Sequence, residues 1–566
     1  MSMQKNINAT GWMPAAGLLI IAIVCGLATS AKSSAQTAGE PVVGNSSGHY
    51  RVAGIVVSKT DGHPLASARI TLRDVKDPKK FESIITTDGG KFEFNDVPAG
   101  KYSLLGAKRG FISADYDQHG QFSTAIVTAA GLETENLLLR LAPDAVITGK
   151  VLDEAGEPIR GASVSLYRTD HREGVDQIER EGESQTNDLG VYEISPLTPG
   201  TYYLSAGAHP WYAVHPQTNP SNAARNSSEI SDESFDRALD AAYPLTYYPD
   251  VTDADSAAPI PVQGGERLQV DIHLNPVPSL RVIFRVPVDS ENRPAFPRIE
   301  QPSFNGWTPV QTDEVRTSSP GVWEITGIPA GRYDLRADGN GSRVQVSGVN
   351  LTKDGEEIDA SKADVLGNVK LAARASGDAT LPPRLVVGLR SGHRIVSERK
   401  ILDAKGEAEI QRIPEGRYEV VFWGGPKPYS VSRLVVDGVE SPERTLTVKP
   451  GGSPSIAVTL AGGSSVIEGT AKQKGKAYAG AMVVLVPKNP EGHRDFFRRD
   501  QSDLDGTFSM RGVIAGSYTV IAIADGWNLD WSQPAVIAAY AKHGKTIDVD
   551  GSGKVSNVGE IEVESK

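Results

Sequence analysis

Cysteine is nearly missing from this chain: Cys25 is the only one in 566 residues. Internal disulfides and thiolate metal sites are therefore excluded, and the fold must be held by core burial. Cys25 also follows Val24 inside an apolar run, where a lipoprotein signal would want a small residue, so lipidation is not expected. The chain is as poor in catalytic signatures. None of its ten histidines has a glutamate three residues later, the pairing by which a metallocarboxypeptidase holds zinc, and His-Glu-x-x-His does not occur. Phosphate loops of the Gly-x-x-x-x-Gly-Lys-Ser/Thr type and the Gly-x-Gly-x-x-Gly fingerprint are missing too. Gly44-Asn-Ser-Ser-Gly48 matches the nucleophile elbow in letters only, since it lacks the strand before and the helix after that the elbow needs. Basic charge is in deficit, with 58 Lys and Arg against 70 Asp and Glu. That argues against nucleic acid or an anionic membrane as a partner.

What the chain does have is repetition. Starting from Asp88-Gly-Gly-Lys-Phe92, one skeleton occurs five times, with a first glycine at Gly90, Gly190, Gly321, Gly406 and Gly506 and a second ten residues on. Two residues after the second comes a tyrosine every time, at Tyr102, Tyr202, Tyr333, Tyr418 and Tyr518. Apolar residues alternate from each first glycine (Phe92 and Phe94, Tyr192 and Ile194, Trp323 and Ile325), which predicts a strand with one buried face. A Pro-Ala-Gly type turn follows, where glycine would supply positive φ, and then a second strand, giving an antiparallel hairpin. The tyrosine is expected in the core with its hydroxyl on backbone near the turn. Copies one, two and five add a front strand-turn-strand: Val52-Ala-Gly-Ile, Ile147-Thr-Gly-Lys and Ile467-Glu-Gly-Thr, each followed by a second apolar strand.

These residues predict an all-β chain, a tandem array of five antiparallel β-sandwiches over 50–142, 143–276, 277–362, 363–461 and 462–566. Residues 1–35 read as a signal peptide: Lys5, the apolar run Ala15 to Leu27, and Ser33-Ser34-Ala35 before Gln36. The protein is then secreted or periplasmic, and an uncleaved anchor is the alternative. Residues 36–49 read as a disordered linker. Ser231, Asp232 and Glu233, followed by Phe235, Ala238, Leu239 and Ala242, predict a short helical insert on the second sandwich.

The front strand-turn-strand, the Thr-Asp-Gly turn ahead of an aromatic (Thr86 to Phe92, Thr186 to Tyr192) and the Pro-x-Gly-x-Tyr turn resemble the carboxypeptidase regulatory-like domain. The resemblance is clear around Thr86 to Phe111, Thr186 to Ala208 and Asp503 to Trp527, and weaker at Ser318 to Ala337 and Asp403 to Trp423. It implies transthyretin-like, carbohydrate-binding-like β-sandwiches in a bacterial secreted protein, and it brings no catalytic residue. Tyr243-Pro-Leu-Thr-Tyr-Tyr-Pro249 resembles a linker element of such proteins.

No catalytic, cofactor or metal residue is assigned. His209 and His215 lack a third ligand, and the loop Asp548-Val-Asp-Gly-Ser-Gly553 has Gly559 where a calcium loop needs glutamate, so a hairpin turn is expected there. The run His493 to Arg499 reads as a solvated hairpin arm. The ligand-contact candidates are loop aromatics with polar neighbours: Trp211 and Tyr212, and Trp527 and Trp531 with Asp525 and Asn528. An indole face can stack on a sugar ring while such neighbours bond its hydroxyls. The competing reading has Phe111, Trp211 and Trp527, which share one position eleven residues past the second glycine, closing sandwich ends. The expected function is a non-catalytic envelope binding, adhesion or scaffold protein whose partner is a polysaccharide or an envelope protein. A carbohydrate-binding protein using loop tryptophans, and an accessory chain of a separate peptidase or glycosidase, are the alternatives.

Overall fold

The computed structural model describes residues 49–566 except 173, 216–235, 287–294, 305, 313, 340–341, 361–365, 378–379, 393, 492–493 and 552. The signal peptide, Cys25, the linker up to residue 48 and the start of the expected insert lie outside the described residues. Five apolar cores follow one another along the chain, each filled from two facing sheet layers. In the first, strand His49–Ser58 lies between Lys91–Pro98, antiparallel, and Leu137–Leu141, parallel. The facing layer runs Phe81–Ile85, Arg69–Asp74, Gly100–Ala107, bordered by Ala114–Asp115 and Ile126–Thr128. In the fifth, Val555–Ser565 pairs first with Ser465–Gln473 and then with Gly516–Ala524, so one strand ties both layers.

The repeating unit is an arch and not a hairpin. Lys91–Pro98 and Gly100–Ala107 are consecutive, yet they sit in opposite layers and do not pair with each other. The same holds for Val191–Leu197 and Gly200–Gly207, and for the corresponding strands of the other three units. A hairpin would point both alternations to one face of one sheet, whereas here the two strands face each other across the core they share. The front strand-turn-strand crosses between layers likewise.

At each arch the tyrosine hydroxyl donates to the carbonyl four residues back: Tyr102 to Pro98 at 3.1 Å, Tyr202 to Thr198 at 2.7 Å, Tyr333 to Pro329 at 2.7 Å, Tyr418 to Pro414 at 2.8 Å and Tyr518 to Ile514 at 2.8 Å. Each ring belongs to a different core. Burial pushes all five phenols above their ordinary range. The two glycines have distinct jobs. The first has φ between 68° and 81° and its carbonyl accepts an amide from the front strand, as Gly90 does from Val56 at 2.9 Å. The second, against expectation, takes no positive φ: at Gly416 and Gly331 an added Cβ would stand 2.7 and 3.0 Å from the phenol oxygen, so the ring passes where a side chain would be. Tyr333→Phe should cost about 1 kcal/mol. That loss would be read as faster amide exchange in Val322–Ile328 and Gly331–Gly339, and unchanged exchange would refute the role given to the hydroxyl.

The described part of the expected insert is a single 3-10 turn, Arg237–Leu239, capped by Asp236, after which Ala241–Ala242 joins a sheet. Among the described residues the α-helix is Pro534–Ala541, in the fifth sandwich, where it had not been expected. No helix among them is long and apolar enough to cross a membrane.

The sandwiches also touch outside their order in the chain. Leu504 of the fifth packs on the first core and donates its amide to Ala125 at 3.0 Å. Asp503 accepts from the Ala125 amide at 2.9 Å and from Lys101 at 2.6 Å. Between the second and third, Phe304 sits among Tyr167, Tyr203 and Tyr247 with ring centroids 4.9–5.3 Å apart.

Candidate binding surfaces

The loop leaving strand Gly200–Gly207 carries Trp211, which is 86% exposed and stands edge-on to Tyr212 at 5.7 Å. The loop is anchored from below. Glu154, in the front turn of the same sandwich, accepts the Tyr212 hydroxyl at 2.6 Å and the buried Tyr243 hydroxyl at 2.8 Å. Burial raises the Glu154 carboxyl, but the Tyr212 phenol, its own amide and Tyr243 outweigh that and hold it below the usual carboxylate range. Burial, then the bond to Glu154, pushes the Tyr212 phenol up to about 12. His215 faces Asp240 at 2.7 Å. The result is an indole held out on a fixed stalk, so the end-plug reading fails for Trp211. Glu154 lies 57 residues before Trp211, and no local spacing marks it.

The second candidate cluster is spent on packing. Trp531 is only 9% exposed and lies in a core with Phe497 and Ile537, with the Arg499 guanidinium 4.1 Å over its ring. Trp527 stacks on His119 of the first sandwich at 4.8 Å with planes 5° apart, and its Nε1 donates to Gly480 at 3.2 Å. Both indoles are engaged in packing, and two other sandwiches contact this part of the fifth: Phe122 of the first lies 5.6 Å from Trp527, and in the second His171 bonds the Leu529 carbonyl at 2.6 Å and the Arg172 carbonyl accepts from Arg499 at 3.1 Å. Asp525 and Asn528 remain exposed beside them, Asp525 in the left-handed region at φ 52°. The structure therefore separates the six proposed contact residues into exposed Trp211 beside half-buried Tyr212, and a loop whose two indoles are packed while Asp525 and Asn528 face outward. The basic run is corrected too: Arg498 and Arg499 are buried enough to fall below the ordinary guanidinium range, Arg499 to about 10.

A cleft of about 1130 Å³ opens between the fourth and fifth sandwiches and includes Arg390, Arg417, Trp423, Tyr429 and Lys488 in its lining. Two of its guanidinium groups are paired internally, Arg390 with Glu419 at 2.5 Å and Arg417 with Glu443, and among the described residues no histidine lines it. Among the described residues no group of three His, Cys, Asp or Glu could hold a metal ion. The loop at Asp548 is flanked by strands, but Lys545–Val549 and Val555–Ser565 do not pair with each other, so it links strands and is not a hairpin turn.

The family model for the carboxypeptidase regulatory-like domain matches residues 32–135 and 146–225. Those matches fall on the first two sandwiches and do not reach the fifth, where the same likeness was expected. No curated protein matches the chain. Among solved structures it is similar to the Bacillus anthracis TIE protein, at 13% identity over 75% of each chain with a TM-score of 0.17. It is also similar to the minor pilin of Streptococcus agalactiae, at 15% identity over 40% of this chain and 97% of that one, TM-score 0.20. Two B repeat units of the collagen-binding protein of Staphylococcus aureus match at 11% identity over 73% and 99%, TM-score 0.12.

Proposed function

We propose that this chain, whose first two sandwiches are carboxypeptidase regulatory-like domains, is a non-catalytic binding and scaffold protein of the bacterial envelope. The observation that carries the reading is Trp211, 86% exposed on a loop tethered through Glu154. An exposed indole on an ordered stalk loses little freedom when a partner covers it, which is the economy of an interface anchor. Its surroundings limit the partner. Residues 143–276 hold 22 of the chain's 70 carboxylate residues but 8 of its 58 Lys and Arg, so the second sandwich repels polyanions. A cationic protein surface or a neutral polysaccharide fits it.

The test is retention of envelope proteins and of neutral polysaccharides by the immobilised chain. Trp211→Ala should weaken retention about 30-fold, the effect of losing a 2 kcal/mol anchor, and leave thermal unfolding unchanged. Retention that survives Trp211→Ala, or no retention at all, refutes the reading. A partner among the polysaccharides would favour the carbohydrate-binding form of the proposal, now resting on Trp211 and Tyr212 alone.

A further inference from the structure

Strand Phe81–Ile85 is the outer edge of a layer in the first sandwich and pairs only with Arg69–Asp74. Phe81 and Ile85 are each 62% exposed, and Ser83 between them is exposed as well. The corresponding edges of the second and fifth sandwiches are protected. In the second sandwich, Gln177–Gln185 carries Glu179, Arg180, Glu181 and Glu183, charges that deter strand addition. In the fifth, Arg498–Gln501 is covered by its neighbours, with Gln501 donating to the Asp117 carbonyl at 2.6 Å and Arg499 to that of Arg172 at 3.1 Å. Only Glu82 charges the first edge.

The backbone of this edge has free partners to offer. Asp74 donates to Lys80 at 3.0 Å and Thr86 to Ala68 at 2.8 Å, so the even-numbered residues of the strand turn their amides and carbonyls inward. In an antiparallel ladder the bonded positions alternate, so Phe81, Ser83 and Ile85 turn theirs outward. We infer that this edge pairs with the same edge of a second copy of the chain, antiparallel about Ser83, so that one sheet runs through two molecules. In that register Ser83 faces Ser83, Phe81 faces Ile85 and Glu82 faces Ile84, and the outward groups of all three odd residues are satisfied. Phe81 and Ile85 from both copies form one apolar row. Beyond the strand, Lys79 and Lys80 of one copy run alongside Thr86 to Asp88 of the other, setting ammonium groups against the Asp88 carboxylate; all of these but Thr86 are exposed in the single chain. The inference is independent of any foreign partner and does not depend on Trp211.

Sedimentation of the full chain across a concentration series should show a monomer–dimer equilibrium. Ser83→Pro removes an outward amide and leaves the inward ladder whole, a placement that edge strands tolerate. It should weaken dimerisation at least 10-fold; if it fails to fold, Phe81→Asp on the exposed side chain serves the same purpose. In a Cys25→Ser background, Ser83→Cys should give an oxidised, covalent dimer, because facing bonded residues lie about 5.5 Å apart at Cα, within disulfide reach. A chain that stays monomeric at every concentration overturns the inference. So does a dimer that survives Ser83→Pro or Phe81→Asp, and so does a dimer whose introduced thiols do not cross-link.

Discussion

Gly149→Ala should destabilise the second sandwich by about 3 kcal/mol or more, and Gly149→Val should prevent it from folding. Gly149 lies mid-strand in Ala145–Leu152, and a Cβ there would stand 1.7 Å from the Val270 carbonyl oxygen and 3.1 Å from the Tyr192 ring. Neither can give way cheaply. The Tyr192 ring is buried, and its hydroxyl donates at 2.6 Å to that same Val270 carbonyl, so the phenol, the parallel strand and the missing side chain share one space. The arrangement recurs at Gly54, against the Leu137 carbonyl at 2.1 Å and Phe92 at 2.8 Å, and at Gly469, against Phe508 at 2.5 Å. Calorimetry of the full chain would show the transition of the second sandwich lowered by roughly 10 °C for alanine, given a few degrees per kcal/mol at this domain size. Gly182→Ala is the control: it sits in an edge strand of the same sandwich with nothing within 4 Å of the added carbon and should change the transition little. Equal losses at the two positions would refute the crowding account, since the reduced freedom of the unfolded chain that alanine brings favours folding at both.

This third glycine position shows how far the sequence could be read. The front motifs stand out as letters, and the alternation of Phe92 with Phe94 or Tyr192 with Ile194 marks buried faces correctly. Alternation has the same period whether two strands pair in one layer or face each other from two, so the arch was hidden behind a hairpin of identical pattern. Glycine is equally ambiguous as a letter. At Gly90 it supplies positive φ, at Gly416 it clears room for a phenol, and at Gly149 it clears room for a ring and a neighbouring strand. Which of these applies depends on residues far away in the chain. The helix Pro534–Ala541 did leave a signal, a proline at its start and four alanines in eight residues, but its apolar residues show no amphipathic spacing. For the binding surfaces, residue type and loop position picked out Trp211 and Trp527 alike. Only the contacts of the first and second sandwiches with the Trp527 loop separate a free indole from one already stacked on His119, and such contacts have no counterpart in local sequence.

Asp500→Asn should stabilise the fifth sandwich near pH 7.5 by about 2 kcal/mol and do nothing at pH 4. Asp500 lies on the covered edge strand Arg498–Gln501, and its carboxyl is pushed up to about 6, first by burial and further by Asp503. The Ser509 and Gln501 amides and the Lys101 charge oppose the shift without cancelling it, and Asp503 is raised by burial as well. Because the folded carboxyl binds its proton more tightly than the unfolded one, the stabilising contribution is fully present below about pH 4 and is lost as pH rises through 6. The wild-type transition of the fifth sandwich should therefore fall between pH 4 and 7.5, and the asparagine variant should flatten that slope while keeping the 2.7 Å bond from the Ser509 amide. Ionised Asp500 and Asp503 both attract Lys101 of the first sandwich, which Asp503 holds at 2.6 Å, so that contact tightens as pH rises and protection of the amides in Ile126–Thr128 should increase over the same interval, less so in the variant. A variant whose transition keeps the wild-type slope would place the proton-binding group elsewhere, and unchanged exchange in Ile126–Thr128 would confine the titration to the fifth sandwich.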